Sequence, residues 1–307
     1  MILLSEGIIK FIGIKNTETP PRGLSVRELN EALNKALITL KEELKHDLYS
    51  VIVIGSISRP SEYVDGLSDT DMIVISARRP STAERYRILE NLSGFRVNLF
   101  FLKPEDVIKI IKSGYPLAWR LFYDSKTLYD NGTLERILKN TQPVINECTI
   151  SVLKKSSLVA LSVAVENYFI GYFTEGINWL HKSLKYGAQW LLAHNGLIPT
   201  SDAEIIELLK SVEVPPLVIS CFEKLVFVRK RKRISNLMLR PLINTTVRAL
   251  CLIYDVKGSD WTMVEMKMRE MMVDGVLTKI SAVLEENKLK WNVWILRRGV
   301  KVKEVIE

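Results

Sequence analysis

Residues 51–76, VIVIGSISRPSEYVDGLSDTDMIVIS, constrain this chain more than any other stretch. An apolar run, Val51 to Ile54, stops at Gly55-Ser56. A spacer follows, and then Asp69-Thr70-Asp71 leads directly into Met72, Ile73, Val74 and Ile75. Carboxylates are depleted in strands and costly beside a core, so two at the head of an apolar strand need a reason. Side chains at i and i+2 of a strand share a face. Asp69 and Asp71 therefore converge on one point, as ligands of a hard divalent cation do. Gly55 lets the backbone approach a ligand closely, and Ser56 offers a hydroxyl and an N–H to phosphate.

Strand, Gly-Ser, spacer, Asp-x-Asp and strand in this order resemble the signature of the DNA polymerase beta-like nucleotidyltransferase superfamily. The likeness is nearest to its minimal and antibiotic-modifying members and spans about residues 24–139. The resemblance implies transfer of NMP, AMP in the first instance, from an NTP such as ATP to a hydroxyl of an acceptor. That acceptor is a small molecule, a protein or RNA. It also implies Mg²⁺ or Mn²⁺ held by Asp69 and Asp71, with Gly55 and Ser56 facing the nucleotide phosphates. Active members usually add a third carboxylate from a neighbouring strand. In FRVNLFF that position holds Asn98, whose amide carbonyl can bind Mg²⁺ but cannot take a proton. Two outcomes stay open. Some relatives draw their base from the helical domain, and Glu166, polar within an apolar helix, is the candidate here. Alternatively the chain is a catalytically impaired nucleotide- or RNA-binding regulator of toxin–antitoxin type.

The expected fold class is α+β: a small mixed sheet with helices over residues 1–145, then a helical bundle over 150–307. In the first half, Ser25-x-x-Glu28 and Ser81-x-x-Glu84 are capping boxes that open helices. Strands are expected at 51–55, 70–76, 95–102 and 126–129, with helices from Pro104 and Thr133. The opening MILLSEGIIKFIGIK, broken by Glu6 and Lys10, reads as a strand pair within about residues 1–20 rather than a signal peptide. In the second half, helices are expected at 158–173 and 176–194, the latter stopped by Asn195-Gly196. Others open at Ser201-x-x-Glu204, at Pro215-Pro216 and at Leu237. Residues 261–286 read as a helix whose Met263, Met266 and Met271 pack in the core. A terminal hairpin is expected over 292–305.

The helical half resembles the HEPN or kanamycin nucleotidyltransferase C-terminal-like domain over about residues 152–255. That resemblance implies that Lys185, and Lys182 beside it, reach the β- and γ-phosphates. The HEPN ribonuclease pairing of Arg with a closely following His is missing, which argues against RNA cleavage. The net charge of +8 is uneven. Residues 1–150 hold 20 Lys and Arg against 19 Asp and Glu, and the rest of the chain holds 23 against 16. The run Arg229, Lys230, Arg231, Lys232, Arg233 is read either as a solvated helix end or as a phosphate contact for RNA.

No apolar run looks long enough to span a bilayer, so no membrane is expected. Three scattered cysteines, Cys148, Cys221 and Cys251, make neither a disulfide framework nor a zinc spacing, which fits a reducing cytoplasmic setting. Scarce Gln amid abundant Ile, Lys, Arg and Glu is a thermophile-like bias. A homodimer is left open.

Overall fold

The computed structural model describes residues 26–58, 70–93, 97–231, 234–258 and 260–307. The expected strand pair near residues 1–20, the Ser25 cap, Asp69, Lys232 and Arg233 lie outside the described residues, and nothing of the Ser56 side chain is described. The chain divides into two compact units, Met1–Asn146 and Glu147–Glu307.

The first unit holds α1 (Val26–Leu44), β1 (Leu48–Ile54), β2 (Thr70–Ser76), α2 (Thr82–Asn91), β3 (Val97–Leu102), α3 (Pro104–Lys112), α4 (Leu117–Tyr123), β4 (Ser125–Asp130) and α5 (Thr133–Lys139). Its sheet runs β3-β2-β1-β4, with β2 and β3 parallel and the other pairs antiparallel. β1 and β2 are apolar at consecutive positions because both faces are covered. Val51, Val53, Met72 and Val74 pack with Leu29, Leu33, Ala36 and Leu40 of α1. Ile52 and Ile73, on the opposite face, are also fully buried. Ser81 caps α2 as expected: its Oγ accepts from Glu84 N at 3.3 Å while Ser81 N donates to Glu84 Oε2 at 2.7 Å. α4 was not expected.

The second unit holds α6 (Glu147–Ile170), α7 (Phe173–His194), α8 (Asp202–Ser211), α9 (Pro216–Val228), α10 (Asn236–Tyr254), β5 (Lys257–Gly258), α11 (Trp261–Met271), β6 (Val276–Glu285), β7 (Lys288–Arg297) and β8 (Val300–Ile306). Small residues let α6 and α7 approach closely. Ser157 Oγ donates to Ser183 O and Ser183 Oγ to Ser157 O, each at 2.9 Å. α7 stops where expected, with Gly196 at φ +76°. At α8, Ser201 Oγ accepts from Glu204 N, but Glu204 Oε2 takes the N–H of Thr200 rather than of Ser201. α6 and α10 are long and apolar enough by length and composition to cross a membrane, contrary to expectation. Here their Leu161, Val165, Ile243 and Leu250 are buried in the unit's core.

The last segment departs from the expected long helix. α11 ends at Met271, and residues 276–285 form a strand. Its Val276, Thr278, Ile280 and Val283 are β-branched and favour the pleat. α11 turns Trp261, Val264, Glu265 and Met268 inward, the i, i+3, i+4, i+7 pattern of a core stripe. Met263 and Met266 are therefore about half exposed rather than core, and Met271 is partly buried. β7 is the central strand, antiparallel to β6 and to β8, and it pairs with β5 in parallel at one end. The expected hairpin is β7–β8.

Glu166 bears on this sheet. The outer edge of β6 presents unpaired N–H groups, and α6 satisfies two of them. Ile280 N donates to Glu166 Oε1 at 2.7 Å, and Ala282 N to Ser162 Oγ at 2.8 Å. An edge N–H left without an acceptor costs about 1–3 kcal/mol. Glu166→Ala should therefore destabilise the protein by about 1 kcal/mol, whereas Glu166→Gln keeps an acceptor oxygen and should stay near wild type. Urea denaturation of the two variants checks this, and equal midpoints would remove the edge-capping role.

Candidate functional site

The β1–β2 register places Ile54 opposite Asp71. The chain leaves β1 at Gly55, turns through a single 3₁₀ turn at Gly55–Ile57, and so starts beside the head of β2. Gly55 has φ +82°, a left-handed conformation that costs a residue with a Cβ about 1–2 kcal/mol. The turn is tied down by Ser58, whose Oγ lies 2.6 Å from Gly55 O and 2.7 Å from Asp124 Oδ1. Asp124 follows α4 and is buried. Neither residue was anticipated. The only signal in the sequence was a carboxylate just ahead of the short strand β4.

The parallel β2–β3 register pairs Asp71 with Asn98. Asn98 Nδ2 donates to Asp71 Oδ1 at 2.8 Å. The position expected for a third ligand therefore does face Asp71, and it holds an amide. Among the described residues no three His, Cys, Asp or Glu side chains group as a metal site. Asp69, two residues before Asp71, lies outside the described residues.

The remaining candidates belong to the second unit. Glu166 caps β6 through Oε1. Lys185 Nζ donates to Asp202 Oδ1 at 2.8 Å. Asp202 Oδ2 lies 2.9 Å from His181 Nε2 and 3.4 Å from Arg229 Nη1. Arg229 is thus turned inward, where its Nη1 is also 3.1 Å from His181 Nδ1. α9 ends at Val228, so the basic run begins at the helix cap instead of lying along a helix. Arg231 rests over the Phe227 ring, 5.1 Å from its centroid, and Lys182 over Trp179 at 4.6 Å.

No family model and no curated protein matches the sequence. Solved structures similar to it include the following three. One is a spectinomycin adenyltransferase from Enterococcus faecialis with ATP and spectinomycin: 15% identity over 71% of this chain and 98% of that one, TM-score 0.47. Another is a nucleotidyltransferase-like protein from Exiguobacterium sibiricum: 14% identity, 78% and 80% coverage, TM-score 0.33. The third is a complex of a tri-AMPylated HEPN toxin from Shewanella oneidensis with its MNT antitoxin: 17% identity, 36% and 84% coverage, TM-score 0.24.

The buried cluster predicts a pH dependence. Burial pushes His181 down to about 4 from its ordinary 6.5, against the pull of Asp202. Asp202, beside His181 and Lys185, is held below its ordinary 3.8 despite burial. Below pH 6.5 the unfolded chain binds a proton at His181 that the folded chain refuses, so stability falls as pH drops from 6.5 toward 4. Asp202 adds its own loss only below 3.8. Urea midpoints measured across that range should fall in wild type and flatten in His181→Gln. Parallel slopes would show that His181 is not held neutral.

Proposed function

We propose that the chain is a metal-dependent nucleotidyltransferase that moves NMP, most simply AMP, from an NTP to a hydroxyl of an acceptor. The observation that carries this reading is the pairing of Ile54 with Asp71. It sets a left-handed glycine turn next to a carboxylate at a strand head. Asp71 and the carbonyl oxygen of Asn98 are hard oxygen donors of the kind Mg²⁺ takes. With Asp69 from the same strand end they would hold the ion. Bound there, the ion would neutralise triphosphate charge and acidify the attacking hydroxyl. Gly55 and Ser56 would orient the phosphates through backbone N–H groups. Asn98 would position Asp71 but could not receive the acceptor's proton.

A second reading is favoured by Asn98 itself: a protein that binds nucleotide and turns it over poorly or not at all. Transfer from each α-labelled NTP into candidate acceptors, with Mg²⁺ and with Mn²⁺, separates the two. Asp71→Asn should lower transfer by about 10²-fold or more. Asn98→Asp should tighten Mg²⁺ binding and raise transfer, while the metal-free protein loses stability to like-charge crowding. Mg-ATP binding that depends on Asp71 without any transfer would support the second reading. Binding unchanged in Asp71→Asn would overturn both.

A further inference from the structure

The outer face of the C-terminal sheet is accessible at one end, around Trp294 and Leu296 of β7, while Lys290 and Asn292 on the same face are buried. Trp291, Val293 and Ile295 of β7 turn into the core, so Trp294 and Leu296 turn the other way and reach the surface. Register sets three rows across this outer face. Val276, Leu296 and Lys301 form one; Lys279, Trp294 and Lys303 the next; Ser281, Asn292 and Val305 the third. The Leu296 and Trp294 rows carry three lysines and no carboxylate, while farther along the same face Lys290 is paired with Glu286 and Glu307. Glu304 belongs to the other parity and pairs with Arg297.

Trp294 sits at the centre of the face and is partly exposed. The Lys279 ammonium lies 5.1 Å from its ring centroid and that of Lys303 5.6 Å, one from each neighbouring strand. Neither lysine is in an ion pair among the described residues. A bulge in β6 beside this row, where Thr278 Oγ1 donates to Trp294 O at 3.0 Å, holds the backbone under the ring. Val276, Leu296 and Val305 leave exposed apolar surface around it.

We infer that this face binds single-stranded nucleic acid, one base stacking on Trp294 while Lys279, Lys301 and Lys303 contact the flanking phosphates. Charge complementarity selects a polyanion. The central aromatic selects bases, since a base plane replaces a lysine over the ring and sends that ammonium to a phosphate. Ser281, partly exposed in the adjoining row, adds a hydroxyl for a base edge. The inference is independent of nucleotide transfer at Asp71.

The test is fluorescence anisotropy of the full chain with a labelled oligouridylate of about twelve nucleotides, within the usual single-strand site sizes. Its duplex, inorganic polyphosphate and phosphatidylserine vesicles serve as the other arms. The single strand should bind more tightly than the duplex. Trp294→Ala should weaken it about tenfold and Trp294→Tyr much less. Lys279→Gln and Lys303→Gln, both at exposed positions, should each lower the salt slope by about 0.7. Trp294→Tyr and the two lysine variants keep the test valid if Trp294→Ala fails to fold. Unchanged affinity in the Trp294 and lysine variants would overturn the inference and move any binding to the run at 229–233. Equal binding of duplex, equal competition by polyphosphate, or binding to vesicles alone would also overturn it.

Discussion

The pairing of Ile54 with Asp71 is the constraint on which the candidate site depends. A slip of one residue would carry Asp71 to the face packed by α1, where a carboxylate would sit among leucines. The register is held because both faces of β1 and β2 are buried, so any slip moves several apolar side chains at once. The same register decides where the chain leaves β1, and hence that the Gly55 turn opens next to Asp71. β3 then follows in parallel and delivers Asn98. Three elements distant in sequence meet at one strand end because the core of the sheet allows one alignment.

The second unit resolves a different problem, the burial of charge. Asp202 is surrounded by Lys185, Arg229 and a neutral His181. Glu265, almost fully buried, takes hydrogen bonds from Tyr168 Oη at 2.5 Å, Arg240 Nε at 2.6 Å and Arg269 Nε at 2.9 Å. Those three donors come from α6, α10 and α11, so this carboxylate fastens the C-terminal helix to the bundle. Each buried acid is matched by two cations. Part of the basic excess of this half therefore faces inward, and the sequence alone gave no sign of it. Removing either carboxylate would leave cations crowded without their counterion, a larger loss than a surface pair involves.

The legible parts of the fold were those that local chemistry punctuates. Ser81 with Glu84, Pro104, Pro216 and Asn195-Gly196 mark helix ends in the sequence and in the structure alike. β2 was legible because Asp71 heads an uninterrupted apolar run, and Asn98 because alternation around it fixed the face. The strand at 276–285 was missed because its Lys279 and Glu285 hide the alternation, and the methionines before it mimic a helical stripe. Glu166 looked chemical because a polar residue in an apolar helix invites a role. The structure gives it one, an acceptor for the edge of β6, which depends on a strand more than a hundred residues away. Lys185 and Arg229 likewise meet Asp202 only through the packing of α7, α8 and α9.

Asn98 is the residue where fold and chemistry pull in different directions. A carboxylate there would stand against Asp71 with no proton to share, and the metal-free site would carry the repulsion. The amide instead donates to Asp71 Oδ1, which satisfies one lone pair of a partly buried carboxylate. Rotation of the same amide presents its oxygen, so the residue can serve the empty site as a donor and a cation as a ligand. In the proposed role that versatility would weaken cation binding, since a neutral oxygen replaces a charged one. It also removes a proton acceptor from the place where transfer would need it. If the proposed transfer takes place here, the arrangement would favour a site that stays folded without metal over one optimised for rapid turnover.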